Sequence, residues 1–181
     1  MDLTARFPAD APMLAGQPVW VVLIAVLFAI SATSVLNNFV FASLRANILP
    51  KGRVYAVDIE PGMVRYLAAR AKRENLRNLT AVAGAPDDAR LPEKVDLILL
   101  VDVYHHIEDR ERYFRRLSAS LRTGGRIAII DFKLDSPSGP PRAARVAPET
   151  VKAEMKAAGH GLGAEHTFLP DQYFLIFRPA S

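Results

Sequence analysis

Aspartates follow the predicted strands of this chain, at positions where a carboxylate could bind a ligand. They are Asp58, the adjacent pair Asp87 and Asp88, then Asp102 and Asp131. A carboxylate directly after a strand can accept two hydrogen bonds from the hydroxyls of a ribose, and another polar group can accept from the amino group of an adenine. By itself Asp58 would suit a nicotinamide cofactor equally well, and a helix-capping or solvated aspartate is the plain alternative.

Two adjacent histidines, His105 and His106, follow the fourth of these aspartates. A histidine titrates near neutral pH, so either one could remove a proton from a bound nucleophile. The alternative is that one packs beneath the sheet edge while the other caps the next helix. The neighbouring Tyr104 could stack on a ring of a bound molecule or pack in the core. His160 and His166 are expected to be structural or exposed, and four scattered histidines without ligand spacing predict no metal site.

Strands and helices alternate along the chain from residue 52 onward, which predicts a Rossmann-like α/β fold with helices on both faces of a mostly parallel sheet. The final strand is expected to run antiparallel, because no helix separates the last two strands. In such a sheet ligands bind at the carboxyl ends of the strands, where the aspartates lie. The predicted strands cover 53–58, 78–82, 95–101, 126–132, 164–169 and 173–178, and the predicted helices cover 63–75 after Pro61, 108–121 up to Gly124 and Gly125, and 148–158.

The composition of the chain excludes several classes of protein. With 181 residues, 50% hydrophobic and 23% charged, it can form one ordinary domain with a real core. The absence of cysteine excludes a disulfide-stapled module, a thiolate metal site and a cysteine nucleophile. The net charge of +4 suits an anionic membrane surface or an anionic substrate. There is no block rich in lysine and arginine, so a nucleic-acid partner is not expected.

The amino-terminal part of the chain is unusually apolar, since residues 11–44 contain no Asp, Glu, Lys or Arg. The stretch 18–36 is long enough for a transmembrane helix. Basic residues resume at Arg45, so the carboxyl-terminal domain would then be cytoplasmic and membrane-associated; without a span the protein would be cytoplasmic. The alternative is a buried strand followed by a buried helix. The predicted division is a tail over 1–17, the apolar segment over 18–44 and a domain over 45–181.

An ordered set of motifs in residues 52–179 resembles the class I S-adenosylmethionine-dependent methyltransferases, of the type 11-like kind found in ubiquinone and menaquinone biosynthesis. The resemblance implies S-adenosylmethionine as cofactor and a small or lipophilic molecule as methyl acceptor. The matching segments are 52–63, 87–92, 95–107, 121–126 and 169–177.

The resemblance also implies roles for individual residues. Asp58, with the adjacent Ile59, would hold the ribose hydroxyls of the cofactor. Asp87 or Asp88 would lie beside the adenine. The stretch from Asp102 to His106 would line the place where the acceptor approaches the sulfonium, with Asp102 also binding the cofactor and His105 or His106 as the catalytic base.

One part of the chain departs from the family pattern. The glycine-rich loop after the first strand is expected near residues 34–38, which read Ser-Val-Leu-Asn-Asn, and no glycine occurs between Gly16 and Gly52. Absent side chains would let that loop approach the methionine part of the cofactor. Three hypotheses follow: a methyltransferase, with a membrane tether as a further expectation; a non-catalytic methyltransferase-like remnant; and a dinucleotide-dependent oxidoreductase.

Overall fold

The computed structural model describes residues 21–24, as backbone, and residues 52–180. Within this part of the chain a seven-stranded sheet is flanked by three α-helices. The strands are β1 (Val21–Ile24), β2 (Val54–Asp58), β3 (Leu79–Ala83), β4 (Val95–Val101), β5 (Leu121–Phe132), β6 (His160–His166) and β7 (Gln172–Pro179). The helices are α1 (Pro61–Arg73), α2 (Arg110–Leu117) and α3 (Pro148–Ala157), with short 3-10 turns at Tyr104–His106, Ser118–Ser120 and Arg142–Ala144.

The strand order is β3-β2-β1-β4-β5-β7-β6. Strands β1 to β5 run parallel to one another, whereas β7 is antiparallel to both β5 and β6. The predicted antiparallel final strand is therefore confirmed. Because of these directions, the carboxyl ends of β2, β4 and β5 share one edge of the sheet with the beginning of β7.

Both faces of the sheet are buried, as expected for parallel strands covered by helices. Alternate residues of β5 belong to opposite cores: Ile127 and Ile129 pack with Phe114 of α2 and Met155 of α3, whereas Ala128 packs on the α1 side. This alternation follows from the two-residue period of a strand. The almost wholly apolar sequence of β4 and β5 is thus explained by burial on two sides.

Local sequence signals set several helix ends. Pro61 occupies the first position of α1, where its missing N–H costs nothing and its fixed φ suits a helix. Asp109 caps α2, since its side chain accepts a hydrogen bond from the Arg112 amide at 3.3 Å. After α3 the chain turns at Gly159, whose φ of +88° favours glycine.

Two predicted elements end elsewhere than expected. The helix predicted over 108–121 stops at Leu117, because Leu121 pairs with Val95 and already belongs to β5. Gly124 and Gly125 therefore lie within a strand rather than at the end of a helix. Strand β6 begins at His160 rather than at Ala164, since its pairing with β7 starts at the helix turn.

The structure corrects the prediction for the apolar segment. Residues Val21–Ile24 form a strand paired between β2 and β4, so an unbroken transmembrane helix over 18–36 is wrong at these positions. This agrees with the alternative of a strand in the sheet. No helix in the described ranges has the length and apolarity needed to cross a bilayer. The rest of the predicted segments 1–17 and 18–44 lies outside the described residues.

The double-sided core makes a test of this packing straightforward. Replacing the fully buried Ile129 by alanine is expected to lower the free energy of unfolding by about 2–5 kcal/mol, because the transfer term and the residual cavity add. Chemical denaturation measures the loss. The matched control is Leu162→Ala, at a side chain 46% exposed on the edge strand, with an expected change of about 0.5 kcal/mol or less. Equal losses in the two variants would contradict the assigned core.

Candidate active site

The acids predicted to follow strands do meet at one edge of the sheet. Asp58 ends β2, Asp102 follows β4 and Asp131 lies near the end of β5. Strand β1 separates β2 from β4, so Asp58 occupies one half of the edge, while Asp102 and Asp131 occupy the other half on neighbouring strands. The site therefore has two parts, one around β2 and β3 and one around β4, β5 and β7.

In the first part, Asp58 is buried at the point where β2 turns into α1. Its Oδ1 accepts a hydrogen bond from the Glu60 amide at 2.8 Å, which fixes the carboxylate in place. Its carbonyl accepts from the Gly84 amide at 3.0 Å and so joins this turn to the loop after β3. A Cβ on Gly84 would lie 2.9 Å from Val57 Cγ1, so the close approach of the two loops requires glycine. Ile59, the other predicted contact, is half-buried beside Asp58.

The two acids predicted at the adenine occupy different surroundings in the loop after β3. Asp87 is 62% exposed and its carboxylate binds Arg116 Nη1 of α2 at 2.9 Å. Asp88 turns back into the loop, where its Oδ1 accepts from the Arg90 amide at 2.8 Å. Ala85 and Asp88 also form an isolated β-bridge, and the following Ala89 is buried. Both carboxylates thus lie near the carboxyl edge, and Asp88 is the one that shapes the loop.

In the second part, Asp102 has an unusual backbone and an unusual environment. Its φ of +55° lies in the left-handed region, which a residue other than glycine adopts at an energetic cost. Gln172 Nε2, at the start of β7, donates a hydrogen bond to Asp102 Oδ1 at 2.6 Å. Burial raises the pKa of the Asp102 carboxyl to about 6, although the bond from Gln172 opposes that shift. A strained, half-buried acid at a strand end is typical of a functional site.

His105 is held by Asp131 through three contacts. Its ring Nδ1 lies 2.9 Å from each carboxylate oxygen, and its backbone N–H donates to Oδ2 at 3.1 Å. Both side chains are almost completely buried, with 4% and 1% of their surface exposed. An Nδ1–H donated to this carboxylate leaves Nε2 as the ring nitrogen that can accept a proton. The structure therefore separates His105 from its neighbour as the oriented histidine.

His106 is more exposed and lies beside the ring of His105, with ring centroids 4.1 Å apart. Partial burial, with a smaller effect of His105, lowers the pKa of His106. The carboxylate of Asp131 thus orients one member of the pair. The prediction that one of the two histidines packs beneath the sheet edge describes the position of His105.

Tyr104 packs in the core rather than facing a ligand. It is fully buried and stacked on Phe114, and its hydroxyl donates to Glu154 Oε2 at 2.6 Å. Arg110 binds both oxygens of the same Glu154, at 2.7 and 3.1 Å, and so ties α2 to α3. The hydroxyl of Tyr173, buried at the start of β7, has no hydrogen-bond partner among the described residues.

A cavity of about 760 Å³ opens beside His105. Its walls come from the 3-10 turn after β4, the loop after β5 and the start of α3. Arg145 holds that loop in shape, because its guanidinium donates to five backbone carbonyls. These belong to Lys133, Leu134, Ser136, Ser138 and Pro140. The residues lining the cavity are His105, His106, Arg110, Leu134, Pro140, Pro141, Ala143, Ala144, Arg145, Val146, Ala147 and Thr150.

Several of these groups were missed by the sequence analysis. Asp131 was recognised as a strand-end acid but not as the partner of His105. Gln172, Arg110 and Arg145 carried no local signal, because each contacts a group that is distant in sequence or buried in a loop.

Comparisons with known proteins place this geometry in a family. A family model described as a methyltransferase domain matches residues 35–127. The fold is similar to that of a SAM-dependent methyltransferase from Aquifex aeolicus, at 20% identity and a TM-score of 0.75, covering 94% of this chain and 89% of that one. It is also similar to an O-methyltransferase family 2 protein from Planctomyces limnophilus, solved in complex with apigenin, at 18% identity and a TM-score of 0.66. That match covers 95% of this chain and 56% of the other.

A third similar structure is that of mitomycin 7-O-methyltransferase, at 14% identity and a TM-score of 0.67, covering 95% of this chain and 53% of that one. The chain therefore spans about half the length of the last two proteins. At these identities the structures support the fold, while the family model carries the assignment. Together they decide against the dinucleotide-dependent oxidoreductase.

The raised pKa of Asp102 predicts a pH-dependent change in stability. In the folded protein this carboxyl binds its proton more tightly than in the unfolded chain, where its pKa is about 3.9, so its contribution lowers stability as the pH rises from about 4 to about 6, and the full loss is present above that range. Asp102→Asn keeps an oxygen for Gln172 and a residue tolerant of positive φ. We expect the variant to be more stable than the parent at pH 8, by up to about 3 kcal/mol, and equally stable near pH 4.

Chemical denaturation across this pH range measures the effect. Asp135→Asn, at an exposed loop position, serves as the control for loss of one negative charge. A stability difference between Asp102→Asn and the parent that is the same at both pH values would contradict the assigned environment.

Proposed function

The chain belongs to the methyltransferase domain family, its cofactor is S-adenosylmethionine, and on that basis we propose that it methylates a small molecule whose nucleophile is deprotonated by His105. The observation that carries this proposal is the buried His105–Asp131 pair at the wall of the cavity. The pair lies on the half of the sheet edge formed by β4, β5 and β7, and β1 separates this half from Asp58. A fixed histidine with one ring nitrogen committed to a carboxylate is suited to act as a general base.

The residues around β2 and β3 fit the nucleoside half of the cofactor. Asp58 presents a fixed carboxylate at a strand end, as recognition of a ribose diol requires. The loop after β3 is held against it and brings Asp88 and the small Ala89 to the same edge. We propose that Asp58 and Ile59 contact the ribose, and that Asp88 rather than Asp87 lies at the adenine, because Arg116 Nη1 holds the Asp87 carboxylate at 2.9 Å and that of Asp88 only at 3.8 Å. Residues 34–38, proposed to meet the methionine part, lie outside the described residues.

The protein itself has to contribute only a few steps to methyl transfer. When bound, the cofactor supplies an activated methyl group. The chain has to hold the acceptor in line and remove its proton. His105 Nε2 takes the proton of the acceptor, and the carboxylate of Asp131 stabilises the positive charge that then develops on the imidazole. Asp102, fixed by Gln172, shapes the wall between the two halves of the site.

The role of His105 is tested by substituting each member of the histidine pair. His105→Gln is expected to lower kcat by about 10²–10⁴-fold with little change in cofactor affinity, since general-base catalysis contributes on that order. His106→Gln is the matched control and should cost much less, because His106 is exposed, whereas both Asp131 oxygens hold the ring of His105. Asp131→Asn should lower kcat and shift the lower limb of its pH profile, which separates orientation of His105 from mere packing. Equal losses for the two histidine variants would remove His105 from this role.

Binding of the cofactor is tested by calorimetry with S-adenosylmethionine. Asp58→Asn is expected to weaken binding by about 10–100-fold, because a hydrogen bond to a charged group contributes about 1.5–3 kcal/mol. The substituted side chain still offers an oxygen to the Glu60 amide, so the turn is retained. Glu60→Gln, at an exposed neighbouring position, provides the control. No binding heat in the parent protein at millimolar ligand would favour the non-catalytic remnant.

A further inference from the structure

We infer that the acceptor is a small amphipathic molecule carrying an anionic oxygen group such as a carboxylate, bound where Arg145 meets the beginning of α3. This inference rests on the proposed function, because it assigns the cavity beside His105 to the acceptor. It goes further by naming the chemical class that the cavity selects.

The walls of the cavity combine an apolar surface with basic groups. Leu134, Pro140, Pro141 and Val146 supply apolar surface, and two arginines and two histidines supply the basic groups. Of the described residues that line it, none is Asp or Glu. A cavity of about 760 Å³ has the size of pockets that enclose small organic molecules. The lining therefore favours a molecule with an apolar body and a negative end.

Among the described residues of this cavity wall, Arg145 is the arginine whose charge no carboxylate balances. Arg110 is matched by Glu154, and His105 is matched by Asp131. Arg145 makes its hydrogen bonds to carbonyl oxygens, which are neutral, and it forms no ion pair among the described residues. Its Nη2 donates one bond, to the Ser138 carbonyl at 3.0 Å, and a guanidinium nitrogen of this kind carries two hydrogens. Among the described residues, one N–H of Nη2 and the formal positive charge of Arg145 have no partner and are available to a ligand.

The beginning of α3 adds donors at the same corner of the cavity. Ala147 occupies the N-cap and offers no side-chain acceptor, and Pro148 has no N–H. The first-turn amides of Glu149 and Thr150 therefore lack a cap, while Ala147 and Thr150 line the cavity. Uncapped amides at a helix N-terminus favour an anion. The acid in this turn, Glu149, is exposed, bound by Lys152 at 2.8 Å, and outside the lining.

The two ends of the cavity therefore favour different chemical groups of one bound molecule. A nucleophile with a removable proton would face His105, and an anionic group would face Arg145 and the first turn of α3. A hydroxylated aryl carboxylate combines these features in the simplest form. Its neutral carboxamide has nearly the same shape, so the pair isolates the contribution of charge.

The experiment compares 3-hydroxybenzoate with 3-hydroxybenzamide on the full chain. Binding is followed by ligand-observed NMR without cofactor, and methyl transfer is followed with S-adenosylmethionine. We expect the carboxylate to bind roughly tenfold or more tightly, because charge-assisted hydrogen bonds replace neutral ones, and the preference should shrink as the salt concentration rises. Equal affinities, or no binding of the carboxylate at millimolar concentration, would overturn the inference.

Substitution at Thr150 provides a second, independent readout that leaves Arg145 in place. Thr150→Asp puts a carboxylate in the first turn of α3, where an acid stabilises the helix, so the variant should fold. It should lose the preference for the carboxylate, whereas Thr150→Asn, of the same size but neutral, should keep most of it. If Thr150→Asp preserves the full preference, the anion does not bind at this corner.

The outcomes also separate this inference from the proposed function. Binding of the carboxylate without any binding of S-adenosylmethionine would leave an anion site and remove the transferase. Transfer to the carboxamide at least as efficient as transfer to the carboxylate would retain the transferase and refute the anionic acceptor.

Discussion

The buried carboxylate of Asp131 is the constraint around which the catalytic half of the site is built. A charge removed from water destabilises a fold unless hydrogen bonds replace its hydration. Asp131 receives them from the Phe132 amide at 2.8 Å and from the backbone and ring of His105. The 3-10 turn at Tyr104–His106 brings both donors of His105 to the carboxylate. Orientation of the histidine is thus a consequence of satisfying the acid, since rotating the ring away would leave the buried carboxylate with its two backbone donors alone.

In the loop after β5, hydrogen bonds surround a cation, the guanidinium of Arg145, instead of an anion. Arg145 lies among the backbone carbonyls of this irregular segment, and its single planar guanidinium donates to five of them. Gly139, with a φ of +95°, allows the loop to pass within contact of the Phe132 ring. The loop gains a defined shape without regular secondary structure. The cavity wall gains a positive charge that no carboxylate among the described residues balances. Structure and recognition therefore come from the same side chain.

Asp102 shows that such a site lowers the stability of the fold. Its backbone is strained, and partial burial raises the pKa of its carboxyl; both features lower stability at neutral pH. The two cores on either side of the sheet tolerate that cost, because residues such as Ile98 and Ile129 are completely buried. A rigid scaffold with a locally unfavourable edge is a common way for a protein to keep reactive groups in fixed positions.

The sequence by itself determined the alternation of strands and helices, and with it the edge at which Asp58, Asp102 and Asp131 lie. Hydrophobic periodicity records burial, and parallel strands collect their carboxyl ends at one side. Tertiary structure alone decided that Asp131 orients His105 rather than His106, because the two partners are 26 residues apart and neighbouring histidines look alike in a pattern. It also decided that Val21–Ile24 belongs to the sheet, since an apolar run suits a strand or a helix until β2 and β4 supply its backbone partners.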